Sequence, residues 1–501
     1  MFDMSIINEV LGKIHALSEK HKIWLDVIFL LFCVAYVLAG LSLVPFHGDE
    51  SAYLILSEDY DKVFKKHEVE KILFDPDGKS KQYLRLSTGG ILSFSIGFAR
   101  DITNNDDPIN KWLWGSSWED NIAIGNLPDP QLLNLARVCS SAMGGLAFVF
   151  LFLFVRRLFS SRLAAWAATL AFVTQGSILV NIRRAMQEGP KFLFLILTIY
   201  IASYVLKDLK QRKIRRMPYF ALGIASGLTL AAKQDTAPML VAVYLSLIFI
   251  SLWKSRSLQT NLVNILYLGA ATILAYASFL AFMPVFWRWW ESVFVLIGIG
   301  IFLLQAPLLR KDSPARLLAF ACGGMVLAMT LTSPVLWPQL PTPILSMLEL
   351  RESIVGGQLS VSTDLNLFET DSTKNRLPFL VENTVSSAVM YMETASFDVL
   401  PVHEQINAYE RSFLSGRTGS WVWDGLVFIL ALFGIVTLIV KFDPENLFAL
   451  SILLITGVLL FFMISLSWQR YFLILQIPYM LFAGLGSRQV WIWILRKETV
   501  L

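Results

Sequence analysis

The sequence predicts an all-α polytopic membrane protein with about twelve transmembrane helices, both termini in the cytoplasm and two large outer loops that carry short interfacial helices. Three observations predict this fold class. The 501 residues are 55% hydrophobic and only 16% charged, which is typical of membrane proteins. Apolar runs of spanning length recur along the chain, and Lys and Arg gather in alternate loops. The modest net charge of +4 indicates no nucleic-acid partner.

Twelve apolar runs are long enough to cross a hydrocarbon core of about 30 Å. The first run is about twice as long as the apolar part of a signal peptide, so it is predicted to remain in the protein as a helix. The predicted spans are 24–46, 138–155, 162–180, 190–206, 218–232, 236–253, 262–285, 293–309, 316–336, 422–440, 446–466 and 470–487.

Basic residues determine the predicted orientation. One connecting loop, 207–216, holds six Lys and Arg residues and a single acid, Asp208. Because cationic loops resist translocation, such loops are predicted to face the cytoplasm. The predicted cytoplasmic loops are 156–162, 207–216, 254–256, 310–316 and 441–446.

Four regions follow from this topology. Segment 84–99 is apolar but short for a span, and counting it as one would place every later basic loop outside. It is therefore predicted to be an interfacial or re-entrant helix. Short helices or strands are predicted at 355–361 and 379–397. The regions are a cytoplasmic segment 1–23, a transmembrane core 24–336 with the large outer loop 47–137, an outer loop region 337–421, and C-terminal helices with a cytoplasmic tail, 422–501.

Two adjacent carboxylates, Asp49 and Glu50, stand where the first span leaves the bilayer. Charges near low dielectric are costly, so such acids either reach water or take part in chemistry. One alternative is that they are solvated loop acids, or that they cap a helix through Ser51–Leu56. His47 is the histidine placed to tune a base at Asp49, and a solvated interfacial histidine is the alternative.

Several cations stand at the predicted outer ends of other spans. Each of them alone is typical of an interfacial cation whose long side chain reaches back to water. Together with a carboxylate pair they form the set that a lipid-linked phosphate requires, because phosphate oxygens need charge-assisted donors. These cations are Arg183, Arg184, Lys233, Arg288 and Arg470.

A third acid, Glu188, lies on the same predicted side, where either a helix dipole favours it or it binds a sugar hydroxyl. Asp49, Glu50 and Glu188 offer oxygen ligands that suit Mg²⁺ or Mn²⁺. Since Lys and Arg already supply positive charge, no metal or other cofactor is expected to be required. The three cysteines fall inside apolar runs and are predicted to be buried small hydrophobes.

The order of these features resembles the GT-C superfamily of integral membrane glycosyltransferases. The similar branch is that of the protein O-mannosyltransferases and aminoarabinose transferases, glycosyltransferase family 39. The resemblance covers nearly the whole spanning region and depends on the order of the matching stretches and their common side of the membrane. These stretches are His47–Tyr53, Leu135–Val138, Asn181–Glu188, Gly227–Lys233 and Arg470–Tyr479.

The resemblance implies an inverting transfer of a sugar from a polyprenyl-phosphate donor to a lipid, glycan or protein acceptor. The expected location is the plasma membrane, among membrane lipids, with the active site facing outside. Asp49 would match the general base of the family and Glu50 its acidic neighbour. The donor phosphate would be contacted by Lys233 or by an arginine among Arg183, Arg184 and Arg470.

Two other functional classes would also suit parts of this sequence. A twelve-span secondary transporter or flippase for a lipid-linked substrate predicts related halves and ionisable residues at mid-bilayer. Here the halves do not visibly repeat, and ionisable residues gather at outer span ends. A scaffold or receptor that uses loop 337–421 would leave the acids and cations without a common task. The sequence therefore favours the enzyme, and it identifies neither the sugar nor the acceptor.

Overall fold

The computed structural model describes thirteen stretches of the chain, and within them the protein is helical. The β-type pairing found in this part is an isolated bridge between Gln175 and Arg417, so the prediction of an all-α fold is confirmed for the described residues. The described residues are 22–74, 84–85, 88–105, 107–211, 215–254, 258–289, 293, 296–300, 349, 373–391, 398–441, 443–463 and 468–497.

The helices are numbered here in chain order. They are α1 (Lys22–Ala39), α2 (Gly48–Tyr60), α3 (Gly90–Thr103), α4 (Trp118–Ala123), α5 (Pro130–Phe159), α6 (Arg162–Val173), α7 (Gly176–Arg183), α8 (Glu188–Gln211), α9 (Arg216–Ala232), α10 (Ala237–Lys254), α11 (Leu258–Ala281), α12 (Thr373–Val385), α13 (Leu400–Arg411), α14 (Trp421–Val440), α15 (Pro444–Met463), α16 (Gln469–Phe472) and α17 (Gln476–Lys497).

Seven helical segments of the described chain are long and apolar enough to cross a membrane, which confirms the predicted membrane class. The count of twelve and the sidedness of the termini stay predictions. In predicted span 293–309 only 293 and 296–300 are described, and 316–336 lies outside the described residues. The seven segments are Ile23–Leu43, Pro130–Phe159, Glu188–Gln211, Gln234–Lys254, Val263–Ala281, Trp421–Val440 and Pro444–Met463.

The predicted third span, 162–180, divides into α6 and α7. The break is stabilised by a distant segment, because the Gly176 N–H donates to the Arg417 carbonyl at 2.8 Å and the Arg417 N–H donates to the Thr174 carbonyl at 2.7 Å. A Cβ atom at Gly176 would lie 2.3 Å from that Arg417 oxygen. Only glycine therefore allows this approach of the Arg417 backbone.

Helices α5 and α8 pack along each other at the centre of the bundle, with α1 and α6 against α5 and with α9 and α10 against α8. Three aromatic rings fill the junction of α5, α6 and α8. Phe148 and Phe192 both meet Phe172 edge-on, at centroid distances of 5.5 and 5.6 Å, which is a favourable ring geometry.

The bundle has two polar ends. At one end Asp26 accepts hydrogen bonds from Arg156 and Arg162, both at 2.9 Å. The other end, where α1 ends and α2 begins, is called the site end. Arg137 and Arg156 both lie on α5, about 28 Å apart at 1.5 Å per residue, so the two ends are well separated.

The segments that were predicted to lie in the outer loops differ in part from expectation. The apolar segment predicted at 84–99 is helical from Gly90, continues to Thr103 as α3, and packs on α2 and α5. Segment 379–397 is helical to Val385 and then irregular to Tyr391, while 355–361 and 392–397 lie outside the described residues. Cys33 and Cys139 are free thiols, buried and partly buried.

The contact between α14 and α17 requires glycine. A Cβ atom at Gly434 would lie 2.1 Å from the Phe482 carbonyl oxygen, whereas nothing lies within 4 Å of one at Gly425 on the same helix. Gly434→Ala should therefore force the helices apart and cost about 1–3 kcal/mol. Gly425→Ala should be neutral or slightly stabilising. Thermal unfolding of the two variants in detergent measures the difference, and equal midpoints would contradict it.

Candidate active site

The acidic pair lies in the first turn of α2, where a capping box sets the direction of each side chain. His47 precedes the helix, and its Nδ1 accepts a hydrogen bond from the Asp49 N–H at 3.2 Å. The His47 N–H in turn donates to Glu50 Oε2 at 3.1 Å. Both contacts satisfy amides that a helix start leaves unpaired. The predicted capping role is thus filled by His47 and Glu50.

Glu50 is fully buried and is saturated with donors from the protein. Arg137 approaches it with two nitrogens, Nε and Nη2, each at 2.8 Å. The Ala185 N–H donates to Oε1 at 2.8 Å, in addition to the donor from His47. Arg137 also donates to the Leu41 carbonyl at 3.1 Å. Glu50 therefore ties together the end of α1, the start of α2, α5 and the turn after α7.

Asp49 points away from this anchor and is 28% exposed. Its Oδ2 accepts a hydrogen bond of 2.6 Å from Arg470. Its other oxygen, Oδ1, accepts no hydrogen bond from any residue that the structure describes. Burial raises the pKa of Asp49, but the charges of Arg470 and Lys233 and the hydrogen bond from Arg470 outweigh it, and the pKa falls to about 2. The carboxylate is charged at neutral pH and keeps one open oxygen.

His47 is buried beside Asp49 and is a neutral acceptor. Burial lowers its pKa, the negative charge of Asp49 opposes that change, and the charges of Arg184, Arg470 and Lys233 add to the lowering, so the pKa falls to about 3. The ring thus serves the α2 cap and stays uncharged at neutral pH.

Glu188 and Lys233 form a second ion pair close to the first. Lys233 Nζ donates to Glu188 Oε1 and lies 5.5 Å from the centre of the Tyr471 ring. The Arg470 guanidinium lies 5.8 Å from the same ring, so the two cations flank one aromatic side chain. Glu188 Oε2 is buried and has no hydrogen-bond partner in the described chain.

Tyr53 lies close enough to Glu188 and Asp49 for both charges to act on its hydroxyl. Burial raises the pKa of its hydroxyl, and the nearby carboxylates of Glu188 and Asp49 raise it further. Tyr53 therefore stays protonated between them. The sequence analysis did not single it out, although its position one turn after Asp49 is the signal that could have done so.

Arg183 and Arg184, two of the cations expected to contact the donor phosphate, donate hydrogen bonds to protein carbonyl groups. Arg183 is fully buried and donates to the Val37 carbonyl at 2.9 Å, the Tyr36 carbonyl at 2.6 Å and the Tyr409 hydroxyl at 2.8 Å. It links α1 to α13, and no described contact joins it to the acids. Arg184 is also buried, beside His47, and donates to the Tyr391 carbonyl at 3.1 Å. The side chain of Arg288 lies outside the described residues.

The described residues hold no group of three or more His, Cys, Asp or Glu side chains arranged for a metal ion. Of the three predicted oxygen ligands, Glu50 is engaged by Arg137 and Glu188 by Lys233. Glu50 and Glu188 therefore neutralise the charges of Arg137 and Lys233.

Replacing Glu50 tests the anchor. In Glu50→Gln the charge of Arg137 stays buried without its counter-ion, which should cost about 3–5 kcal/mol of stability. Glu58→Gln on the same helix is the matched control, because Glu58 is 48% exposed and faces Lys62 at 3.9 Å, a pair worth about 0.3–0.5 kcal/mol. Thermal unfolding in detergent should separate the variants clearly, and a Glu50→Gln protein as stable as the control would argue against the anchor.

The chain matches one family model and is similar to several solved structures. Residues 133–287 match the model of the dolichyl-phosphate-mannose-protein mannosyltransferase family. No curated protein matches the chain.

Among solved structures, the Archaeoglobus fulgidus oligosaccharyltransferase in the apo form is 13% identical, with a TM-score of 0.48 over 96% of this chain and 52% of that one. The Saccharomyces cerevisiae protein O-mannosyltransferase Pmt1-Pmt2 complex bound to the sugar donor is 14% identical, with a TM-score of 0.38 over 55% of this chain and 34% of that one. ArnT from Cupriavidus metallidurans bound to undecaprenyl phosphate is 13% identical, with a TM-score of 0.32 over 93% of this chain and 77% of that one.

The chain thus spans about a third to a half of the length of the first two proteins. The family match confirms the resemblance to the protein mannosyltransferases over residues 133–287. Three of the five matching stretches lie in this range: Leu135–Val138, Asn181–Glu188 and Gly227–Lys233.

Proposed function

We propose that the protein is a membrane glycosyltransferase that moves a sugar from a polyprenyl-phosphate donor to an acceptor hydroxyl or similar group, with inversion and with Asp49 as general base. The observation that carries the proposal is a partly exposed carboxylate with one open oxygen, placed beside Arg470 and Lys233 at one end of an apolar bundle. The family match supports the class of donor.

The reaction needs few groups from the protein. A sugar on a lipid phosphate already has a good leaving group, so the protein must deprotonate the acceptor and stabilise phosphate charge. Asp49 Oδ1 would take the proton while the acceptor oxygen attacks the anomeric carbon. The bond from that carbon to the phosphate oxygen breaks, and its electron pair stays on the phosphate. Attack opposite the leaving group inverts the configuration.

Arg470 would link donor binding to the strength of the base. Its ion pair with Asp49 holds the carboxylate pKa at about 2, and a carboxylate of such low pKa is a weak proton acceptor. A donor phosphate would compete for the same guanidinium. Weakening the ion pair would raise the pKa of Asp49 and make it a stronger base when the donor is present.

The buried oxygens beside the ion pairs suit sugar hydroxyls. Glu188 Oε2 and Gln187 Oε1 lack hydrogen-bond partners in the described part of the chain, and a buried acceptor without a donor is costly. Sugar hydroxyls would supply the missing donors. Glu188 is therefore proposed as a sugar contact, as one reading of the sequence suggested.

The remaining predicted site residues divide into positioning or structural residues and proposed phosphate contacts. Glu50 is assigned to positioning and not to chemistry, because four protein donors occupy its carboxylate. His47 caps the helix that carries Asp49. The contacts of Arg183 and Arg184 with carbonyl groups favour a structural role for both, and Lys233 and Arg470 are the proposed phosphate contacts.

The topology proposed from the sequence completes this function: twelve spans, cytoplasmic termini and a site that faces the outside of the plasma membrane. The separation of the two bundle ends supports it. Arg156 and Arg162, both from a predicted cytoplasmic loop, pair with Asp26 at the end opposite the site.

Asp49→Asn should abolish most transfer. The amide keeps the volume and a hydrogen-bond acceptor but cannot take the proton, so turnover should fall by about 10²–10⁴-fold. The assay is release of polyprenyl phosphate and formation of glycosylated acceptor by purified protein. Glu58→Gln on the same helix serves as the control and should retain turnover. An Asp49→Asn protein with normal turnover would remove Asp49 as the base, and a wild-type protein that moved lipid without forming product would favour a flippase.

Labelling of single cysteines should test the orientation. In a chain whose three natural cysteines are replaced, an impermeant thiol reagent applied to intact cells should label Gly115→Cys but not Lys207→Cys. Both positions are exposed in the described structure, and permeabilised cells, in which both should react, provide the control. Labelling of Lys207→Cys from outside would reverse the proposed orientation.

A further inference from the structure

Lys191 is a fully buried cation in α8, and the proposed reaction does not use it. A lysine inside a membrane span is costly unless it is paired. Lys191 Nζ donates to Asp235 Oδ2 at 2.8 Å and to the backbone carbonyl of Arg470 at 2.9 Å. Its side chain has no exposed surface, and both of its hydrogen bonds go to protein groups, so no contact with donor or acceptor is assigned to it.

The partners of Lys191 belong to the three segments that carry the charges of the site. Lys191 follows Glu188 by three residues, so the two lie on neighbouring positions of one helix face. Asp235 follows Lys233 by two residues in the turn between α9 and α10. The third segment is α16, which carries Arg470. A single ammonium group thus joins the segments of Glu188, Lys233 and Arg470.

Of the two contacts of Lys191, the one with the Arg470 carbonyl acts directly on a residue of the proposed site. Helix α16 has only four residues and continues through the 3-10 turn Leu473–Leu475 into α17. The bond from Lys191 fixes the carbonyl of the residue whose guanidinium reaches Asp49.

The contact with Asp235 acts on Lys233. Lys233 Nζ already lies 3.6 Å from Asp235 Oδ2 while it pairs with Glu188. Without the positive charge of Lys191, Asp235 would attract Lys233 more strongly and draw it from Glu188 and from the site.

We propose that Lys191 is a positioning residue that holds Arg470 and Lys233 where a donor phosphate can meet both. This assignment rests on the proposed function, because it takes those two cations as the phosphate contacts. It differs from a purely structural role in one respect: the larger part of the effect of Lys191 on donor binding passes through Arg470, and the rest through Lys233.

A double-mutant cycle measures that dependence. The probe is polyprenyl phosphate, bound to the purified full-length protein in detergent. Lys191→Met, which keeps most of the side-chain volume, should weaken binding about tenfold in the natural chain, as expected for the loss of charge-assisted contacts. In an Arg470→Ala chain the same change should weaken binding only about two- to threefold, because the part of the effect that passes through Arg470 is lost while the part through Lys233 remains.

The cycle needs a variant that folds and a control for stability. If Lys191→Met does not fold, the neutral pair Lys191→Met with Asp235→Asn replaces it, since this pair leaves no buried charge unpaired, and the same dependence on Arg470 is expected. Asp208→Asn is the control: Asp208 is a buried carboxylate on the same helix that Arg215 contacts far from the site. It should lower the unfolding temperature and leave polyprenyl phosphate binding unchanged.

The outcomes separate this assignment from the proposed function. Wild-type protein that does not bind polyprenyl phosphate would overturn the proposed function and this assignment with it. Wild-type binding that Lys191→Met leaves unchanged, or that it weakens equally with and without Arg470, would overturn the role of Lys191 alone. Loss that depends on Arg470 supports it.

Discussion

The buried pair of Glu50 and Arg137 is the interaction on which the rest of the site depends. A buried ion pair stabilises a protein only when its geometry is good and its remaining hydrogen-bonding groups are satisfied, and here both conditions hold. The pair fixes the first turn of α2 against α5 and against the turn after α7. Because successive helical residues point about 100° apart, a Glu50 held inward obliges Asp49 to point elsewhere, towards Arg470.

Asp49 and Arg470 form one of three further ion pairs at the site, and the other two join Lys233 to Glu188 and Lys191 to Asp235. Each acid of this set has a cation, so the cluster is close to neutral and tolerable at the end of an apolar bundle. Lys191 and Asp235 are almost completely buried, while Lys233 is 15% and Asp49 28% exposed. Of the charged groups that the proposed reaction would use, Asp49 and Lys233 are thus the most exposed, whereas Arg470 is 9% exposed and Glu188 is fully buried.

The sequence could predict where apolar helices run, because hydrophobic length is a local property, and it could group Asp49, Glu188, Lys233 and Arg470 at one end of the bundle. It could not predict which way each side chain points. Asp49 and Arg470 are 421 residues apart and yet share a hydrogen bond, while Arg183 turns to carbonyl groups. Arg137 and Lys191 were not predicted because a lone cation in an apolar run is commonly a snorkelling residue. Only their buried carboxylate partners, far away in sequence, show otherwise.

The ion pair between Asp49 and Arg470 also gives a reason why water would not hydrolyse a lipid-linked sugar in such a site. On the proposed mechanism, Asp49 is weakly basic while Arg470 pairs with it, so water beside the open Oδ1 is poorly activated before the donor arrives. The phosphate that delivers the sugar would itself release the base by engaging Arg470. Activation of an acceptor would then be confined to the state in which the sugar is present. That coupling requires one guanidinium that can contact both Asp49 and the donor phosphate. It gives a physical reason for the buried Lys191 to hold the backbone of Arg470 in place.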